Sequence, residues 1–189
     1  MVVAGLTIDP ANNAPIVILR EKDSERVLPI WIGVIEASAI AFELEKVKLT
    51  RPMAHDLLKE AIRELGGTVE RVVVVDLREN TYYATVLLGY AGRTIALDAR
   101  PSDAIALALR AAAPILCETA VIEKAQAQRE AAARSAAAEA APSAPPSTSE
   151  EDDVDRGENG PRPIVNAGTM SWSELLESLE PEAFGKYKM

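Results

Sequence analysis

The sequence has very few of the residues that build disulfide-bonded or zinc-bound proteins. Its 189 residues include one cysteine, Cys117, and one histidine, His55. A lone cysteine excludes an intrachain disulfide and a cysteine-based zinc site, so we interpret Cys117 as a small apolar residue in a reducing compartment. No apolar run approaches the length of a membrane-spanning helix, and the first residues lack the pattern of a secretory signal. We therefore expect a cytoplasmic protein that makes no membrane contact.

Positive charge is also scarce. The chain has 20 Lys and Arg against 29 Asp and Glu, a net charge of −9. Residues 1–128 hold 14 basic and 17 acidic side chains, so most of the excess acid lies in the last third of the chain. A nearly neutral domain excludes a nucleic-acid binder that depends on bulk positive charge. It does not exclude a nuclease, because acidic side chains can hold cationic metals.

Apolar periodicity divides the chain into short strands and helices. The first half predicts three strands in an antiparallel meander, followed by two helices; the strands are residues 2–8, 15–19 and 27–32, and the helices are residues 34–46 and 52–65. The second helix is predicted to bury one stripe of side chains, Met53, Leu57, Ala61 and Leu65. The second half repeats this order, with strands at residues 69–77, 82–88 and 94–97 and helices at residues 102–111 and from 118 onward.

The repeated order indicates an internal duplication. Ala39-Ile40-Ala41 matches Ala104-Ile105-Ala106 at an offset of 65 residues. A single half has too little core to fold alone. We therefore predict an α+β fold made of two halves, each with three strands and two helices. The halves would join into one barrel-like, mostly antiparallel sheet with the helices packed outside.

Composition predicts four regions along the chain. These are a globular domain at residues 1–125, an alanine-rich helical extension at 126–141, a disordered acidic linker at 142–169 and a short amphipathic helix at 170–189. In the last region, apolar side chains recur on one helical face, namely Trp172, Leu175, Leu176 and Leu179. A helix this short needs a docking surface, which its own domain, a second subunit or another protein would provide.

The richest cluster of polar residues lies where a predicted strand runs into a predicted helix. It comprises Asp98, Arg100, Ser102 and Asp103. The start of a helix favours an anion, an arginine can hold a phosphate, and carboxylates can bind a divalent metal. The alternative is that Ser102 or Asp103 only caps the helix and that Arg100 pairs with an acid.

Three further candidates lie on the earlier helices. His55 is suited to act as a general base near neutral pH, and Asp56 follows it directly. Glu36 comes early in its helix, where the helix dipole stabilises a carboxylate. Local roles for all three, as a half-buried histidine and as first-turn acids, stay open. No phosphate-binding loop, nucleophile elbow or zinc-protease motif is present.

Several segments resemble the bifunctional nuclease family. They are WIGVIEASAIAFELE from Trp31, RPMAHDLL from Arg51, VVVVDLRENTYYATVLL from Val72 and DARPSDAIALALR from Asp98. The resemblance covers roughly residues 1–125 and implies a duplicated α+β fold with a barrel-like sheet. It also implies nuclease activity toward both DNA and RNA. The positions that match the family's motifs are Glu36, Arg51, His55, Asp56, Asp98, Arg100, Ser102 and Asp103.

On this resemblance we expect metal-assisted hydrolysis of phosphodiester bonds. Glu36, Asp98 and Asp103 would hold Mg²⁺ or Mn²⁺. His55 would activate water or protonate the leaving oxygen, with Asp56 orienting it, and Arg100 would stabilise the developing charge. Substrate binding would fall to Arg51, Arg100 and Ser102.

The rival hypothesis is a non-catalytic module. The same polar residues would then bind an anionic metabolite or form an oligomer interface, and the C-terminal helix would recruit a protein partner. Geometry separates the two hypotheses. A nuclease requires these groups around one open cleft, whereas a structural role pairs them locally.

Overall fold

The first half of the chain folds as a three-stranded meander followed by two helices. The computed structural model describes residues 1–139, with side chains to residue 134. Its first elements are β1 (Val2–Ile8), β2 (Pro15–Arg20), β3 (Val27–Trp31), α1 (Val34–Leu44) and α2 (Ala54–Glu64). All five elements were predicted from the sequence within a few residues at each end.

The second half repeats this order with one added strand. Its elements are β4 (Gly67–Arg78), β5 (Thr81–Tyr90), β6 (Arg93–Ala99), α3 (Pro101–Ala111), β7 (Ile115–Cys117) and α4 (Thr119–Glu139). β7, which the sequence pattern did not predict, runs parallel to β4 and pairs with it from Ile115 to Cys117. The internal duplication stays a prediction, because the order of elements alone does not establish it.

The strands form two sheets in the part of the chain that is described. β1, β2 and β3 make an antiparallel sheet, and the second sheet has the order β6-β5-β4-β7. The α+β class is therefore confirmed, but the single barrel-like sheet is wrong. No strand of the first sheet pairs with a strand of the second within residues 1–139. One hydrogen bond does link the start of the chain to the second sheet. The amino group of Met1, which precedes β1, donates to the carbonyl of Ile115 in β7 at 2.8 Å.

Helix α3 is the central helix of the fold. It contacts α1, α2, β4 and β5, and most of its side chains are buried. Its small alanines let neighbouring elements approach closely, while Ile105 and Leu107 fill the core. Pro101 suits the first turn, where its missing N–H is not needed. The start of α3 is thereby held rigidly against the rest of the domain.

Helix α2 is rotated relative to its predicted orientation. Of the predicted buried stripe, Met53 packs against the core, whereas Ala61 is exposed and Leu57 and Leu65 are 62% and 76% exposed; Ile62 packs against the core as well. Polar contacts between α2 and α3 explain this rotation. Two side chains on the edge of α2 bind α3, His55 through Asp103 and Asp56 through Arg110. These contacts fix the rotation of the helix and leave its apolar centre uncovered.

The remaining predictions fall largely beyond the described residues. The acidic linker at residues 142–169 and the amphipathic helix at 170–189 lie outside them. The alanine-rich extension from residue 126 falls within α4 as far as Glu139. Across residues 1–139, no helix combines the length and apolar character that crossing a membrane requires. The cytoplasmic location stays a prediction.

Candidate active site

Four polar side chains from three helices form one connected network. Arg100, the N-cap residue of α3, donates from Nη1 to Glu36 Oε1 at 2.8 Å and from Nε to Asp103 Oδ2 at 2.7 Å. His55 Nε2 lies 3.1 Å from Asp103 Oδ1. We call Glu36, His55, Arg100 and Asp103 the Arg100 network. It joins the first turns of α1, α2 and α3.

The local sequence explains how these groups meet. Glu36 and Asp103 each lie in the first turn of a helix, where the helix dipole favours a carboxylate. Gly33 caps α1 with ordinary extended backbone. A side chain at Gly33 would overlap the Glu36 carboxylate, so the glycine makes room for Glu36 to turn toward Arg100. Sequence reasoning predicted all four network residues as site candidates, but not their pairing.

Charge and burial shift the pKa values of Asp103 and Arg100 in the network. Burial opposes ionisation of Asp103, but hydrogen bonds from Arg100 and His55 outweigh it and hold its pKa below the ordinary value. The Asp103 carboxylate in turn raises the pKa of Arg100, and Glu36 adds to this effect. Arg100 is the exposed member, with 66% of its side chain accessible, whereas the His55 side chain is only 16% accessible. The network therefore presents a guanidinium to solvent and keeps its imidazole sheltered.

A cleft of about 410 Å³ opens beside Arg100. Its wall includes Glu36, Ser102, Tyr82 and Trp31. Ser102 is 6% exposed and belongs to the first turn of α3, next to Arg100. Trp31 is half exposed, and its indole N–H donates to Asp9 at 2.9 Å. The cleft thus combines a helix N-terminus, a guanidinium and an anchored aromatic ring.

Two other predicted residues lie around a second cleft of about 420 Å³. Arg51 and Asp56 line it, together with Arg110. Arg110 Nε donates to Asp56 Oδ1 at 2.7 Å and Nη1 donates to the Ala106 carbonyl at 3.0 Å, while only 3% of the Arg110 side chain is exposed. Asp56 also accepts a hydrogen bond from the Met53 N–H. This pair fastens α2 to α3.

Two of the predicted site roles need correction. Asp103, and not Asp56, contacts His55, because neighbouring residues on a helix point in different directions. Asp98 is exposed on β6, and its register places it on the opposite face from Leu97 and Ala99. The α3 side of the sheet is the Ala99 side, where Ala84 and Val86 are buried. The pleat therefore separates Asp98 from Asp103.

Arg110 is the functional candidate that the sequence analysis left out of its site. The sequence did carry a signal, since Asp103 and Arg110 are the two charges of an otherwise apolar helix. A charge on a helix that is buried on nearly every side needs a partner. Asp56 is that partner.

The described residues do not present a ready metal site. Among residues 1–139, no group of three or more His, Cys, Asp or Glu side chains converges as metal ligands. Arg100 already binds both Glu36 and Asp103, and Asp98 faces away. The side chains as arranged do not fit the predicted Mg²⁺ or Mn²⁺. Metal dependence stays a prediction for experiment.

Stability should fall as the solution is acidified. The pKa values of Asp56, Asp76 and Asp103 all lie below the ordinary aspartate value; in Asp76 the main cause is a hydrogen bond from Lys124. A depressed pKa contributes stability above the unfolded-state value of 3.8, and this is lost as pH falls through the folded-state value. Urea unfolding between pH 7 and pH 2.5 measures the slope. Asp76→Asn should flatten it, and an unchanged slope would contradict this assignment.

Sequence comparisons extend these observations. The family model described as "Bifunctional nuclease domain" matches residues 17–130. An uncharacterized protein of Mycobacterium tuberculosis is 44% identical over 123 residues, which cover 65% of this chain and 73% of the relative. Bifunctional nuclease 1 of Oryza sativa subsp. japonica is 31% identical over 110 residues, covering 57% of this chain and 33% of the relative. Bifunctional nuclease 1 of Arabidopsis thaliana is 30% identical over 110 residues, with coverages of 57% and 34%.

Proposed function

Because the chain belongs to the bifunctional nuclease domain family, we propose that it is a nuclease that hydrolyses phosphodiester bonds of DNA and RNA. The plant relatives carry the name bifunctional nuclease, and the chain spans about a third of their length. The observation that carries the proposal is the Arg100 network: Arg100 and Glu36 line an open cleft, and Asp103 and His55 are connected to them through Arg100. The network joins a guanidinium, two carboxylates and the chain's one histidine.

The proposed chemistry uses His55 and Asp103 as a pair. Asp103 accepts the His55 Nε2–H, which leaves Nδ1 with a free electron pair. Nδ1 takes a proton from water as the water oxygen bonds to phosphorus. The bond from phosphorus to the leaving oxygen then breaks, and that oxygen receives the proton. Water and a phosphodiester thus yield a phosphomonoester and a free hydroxyl group.

Arg100 stabilises charge on the phosphate in this scheme. Three of its five N–H donors bind Glu36 and Asp103, and two remain for phosphate oxygens. Ser102, in the cleft wall, supplies a hydroxyl and lies in the first turn of α3, where anions are favoured. The phosphodiester would therefore lie across the start of α3.

Trp31 suggests that the substrate is single-stranded. An unpaired base can stack on the exposed indole, which the bond to Asp9 holds in place. Stacking on an aromatic ring is worth about 1–3 kcal/mol per base. We expect Trp31→Ala to weaken binding of a single-stranded oligonucleotide by about 10-fold and Trp31→Phe to retain most of it. Fluorescence anisotropy measures both, and equal affinity of Trp31→Ala and wild type would exclude stacking here.

One observation favours a second candidate function, in which the network is structural. Its ion pairs tie α1, α2 and α3 together and occupy each carboxylate locally. In that case the domain would act as a binding or oligomerisation module without hydrolysis. Substitutions in the Arg100 network would then lower the stability of the domain, and the variants would cleave nucleic acid only at the background rate.

The experiment that tests the proposal is cleavage of labelled single- and double-stranded DNA and RNA by the purified full chain. Parallel reactions contain Mg²⁺, Mn²⁺ or a chelator, which also tests the predicted metal dependence. The proposal expects degradation of both nucleic acids, with single strands cut faster. Rates for the wild type and Asp103→Asn, purified identically, that both equal the rate of a mock purification without the protein would mean that a contaminant does the cutting.

A further inference from the structure

Strand β6 is an open edge of the second sheet. With the order β6-β5-β4-β7, β6 has a strand neighbour on one side only. It runs for seven residues, Arg93–Ala99, and pairs with β5 without any register shift. It contains neither proline nor lysine. Soluble proteins usually protect an edge strand by shortening it, bending it or charging it, because its free N–H and C=O groups invite another strand.

The other sheet edges in residues 1–139 are protected in these ways. β7 has only three residues. β3 carries Pro29, which has no N–H to donate. β1 is bent by a register shift between Val3 and Gly5. β6 is thus the long, regular edge of the described part of the fold, and its two charged side chains, Arg93 and Asp98, lie near its ends and leave the middle of the strand uncharged.

The side chains of β6 also extend an apolar surface past the core. Ile95 and Leu97 are 41% and 45% exposed. Their register partners on β5 are Leu88 and Val86, so they lie on the core-facing side of the sheet. Helix α3 covers that side over β4 and β5. An apolar strip bordering unpaired backbone groups is typical of an interface rather than of a free surface.

We propose that β6 pairs antiparallel with β6 of a second copy of this chain, about a two-fold axis through Ala96. In this register Ile95 of one copy faces Leu97 of the other, and Leu97 faces Ile95. Thr94 faces the partner's Asp98, and Arg93 faces the partner's Ala99. Neither Arg93 nor Asp98 faces the same residue of the second copy, so no like charges are opposed. The strand is self-complementary, as a two-fold interface requires.

This pairing would place a positive side chain of each copy near the cleft of the other copy. Ala99 directly precedes Arg100, so the partner's Arg93 would lie beside the start of α3 and on the same side of the sheet. Arg93 is exposed, and its side chain makes no hydrogen bond or ion pair within the described residues. Each copy would thereby add a positive side chain to the other's cleft. The value of that charge for substrate binding rests on the proposed nuclease function, whereas the pairing itself does not.

The mass of the full chain in solution tests the dimer. The chain has a mass of 20.3 kDa, and sedimentation equilibrium in the micromolar range should give twice that value. Leu97→Lys places a charge against the partner's apolar side chain and should raise the dimer dissociation constant about 10-fold or more. The matched control is Leu116→Lys, on the opposite edge of the same sheet and 43% exposed, which should leave the dimer intact. A monomeric wild type, or equal dimerisation of both variants, would overturn the proposal.

A cross-link tests the register without depending on the lysine variant's folding. Ala96→Cys places two thiols at the axis, where the opposed Cα atoms are about 4.5–5.5 Å apart, within disulfide range. Thr94→Cys is the control, because its two copies would lie several residues apart. Burial raises the pKa of the native Cys117 thiol to about 11, so it contributes little thiolate at neutral pH. Rapid covalent dimer from Ala96→Cys alone is expected; equal cross-linking of both variants would contradict the axis.

Discussion

Asp103→Asn should lower the rate of phosphodiester cleavage by about 100-fold or more. The amide cannot stabilise a His55 imidazolium, and it loses the charge that holds Arg100. Because Asp103 is at the start of α3, some stability should be lost as well, about 1 kcal/mol for a helix-terminal carboxylate. The readout is the initial rate on a labelled single strand, with melting temperature measured on the same preparation.

A matched substitution separates chemistry from stability in this experiment. Asp76 is also a carboxylate in an ion pair, but it binds Lys124 and Arg78 away from the cleft. Asp76→Asn should therefore leave the cleavage rate within about twofold of wild type, as for a surface substitution outside the site. If Asp103→Asn cuts at the wild-type rate while melting earlier, Asp103 has a structural role alone and the proposed pair is wrong.

Arg110→Ala should have the largest effect on stability. The Arg110 side chain is almost fully buried and binds both Asp56 and the Ala106 carbonyl. Its removal leaves a cavity inside the helix layer and an unpaired carboxylate, for a loss of roughly 3 kcal/mol in the free energy of unfolding. The expected loss is not larger because Asp56 is about one-third exposed, so water partly solvates its unpaired carboxylate.

Chemical denaturation of Arg110→Ala and Asp56→Asn together tests this explanation. Asp56→Asn should cost less, roughly 1–2 kcal/mol, because the single amide oxygen can still accept one of the two hydrogen bonds that the carboxylate accepts, either from Arg110 Nε or from the Met53 N–H. The double substitution should cost less than the sum of the two, since both act on the same contact: Arg110→Ala removes it and Asp56→Asn removes its charge. Additive losses would show that Arg110 and Asp56 stabilise the fold independently.

The secondary structure was largely predictable because its signals are local. The continuous apolar run of β2 and the Ile40 stripe in α1 give strand and helix directly. The rotation of α2 was not predictable from periodicity. The apolar periodicity of α2 predicts that Leu57 and Leu65 are buried. The hydrogen bonds of His55 and Asp56 to α3 rotate the helix so that both leucines are exposed. β7 escaped prediction because three residues carry too little pattern.

The candidate site shows a similar division. The residues Glu36, His55, Arg100 and Asp103 were identified from their types and positions, and the fold brings them together. Their partners were harder to predict, because sequence neighbours are not spatial neighbours. Asp98 is close to Asp103 in the chain but lies across the sheet, and Asp56 adjoins His55 but faces Arg110. Long-range contacts between helices decide these pairs.

The most direct test of the proposed nuclease site is a double-mutant cycle on cleavage of a single-stranded oligonucleotide. It compares wild type with His55→Gln, Asp103→Asn and the double variant. If His55 and Asp103 act as one unit across their 3.1 Å contact, the double variant should be no slower than the slower single variant. Fully additive losses, or cleavage at the wild-type rate in either single variant, would contradict the proposed pair.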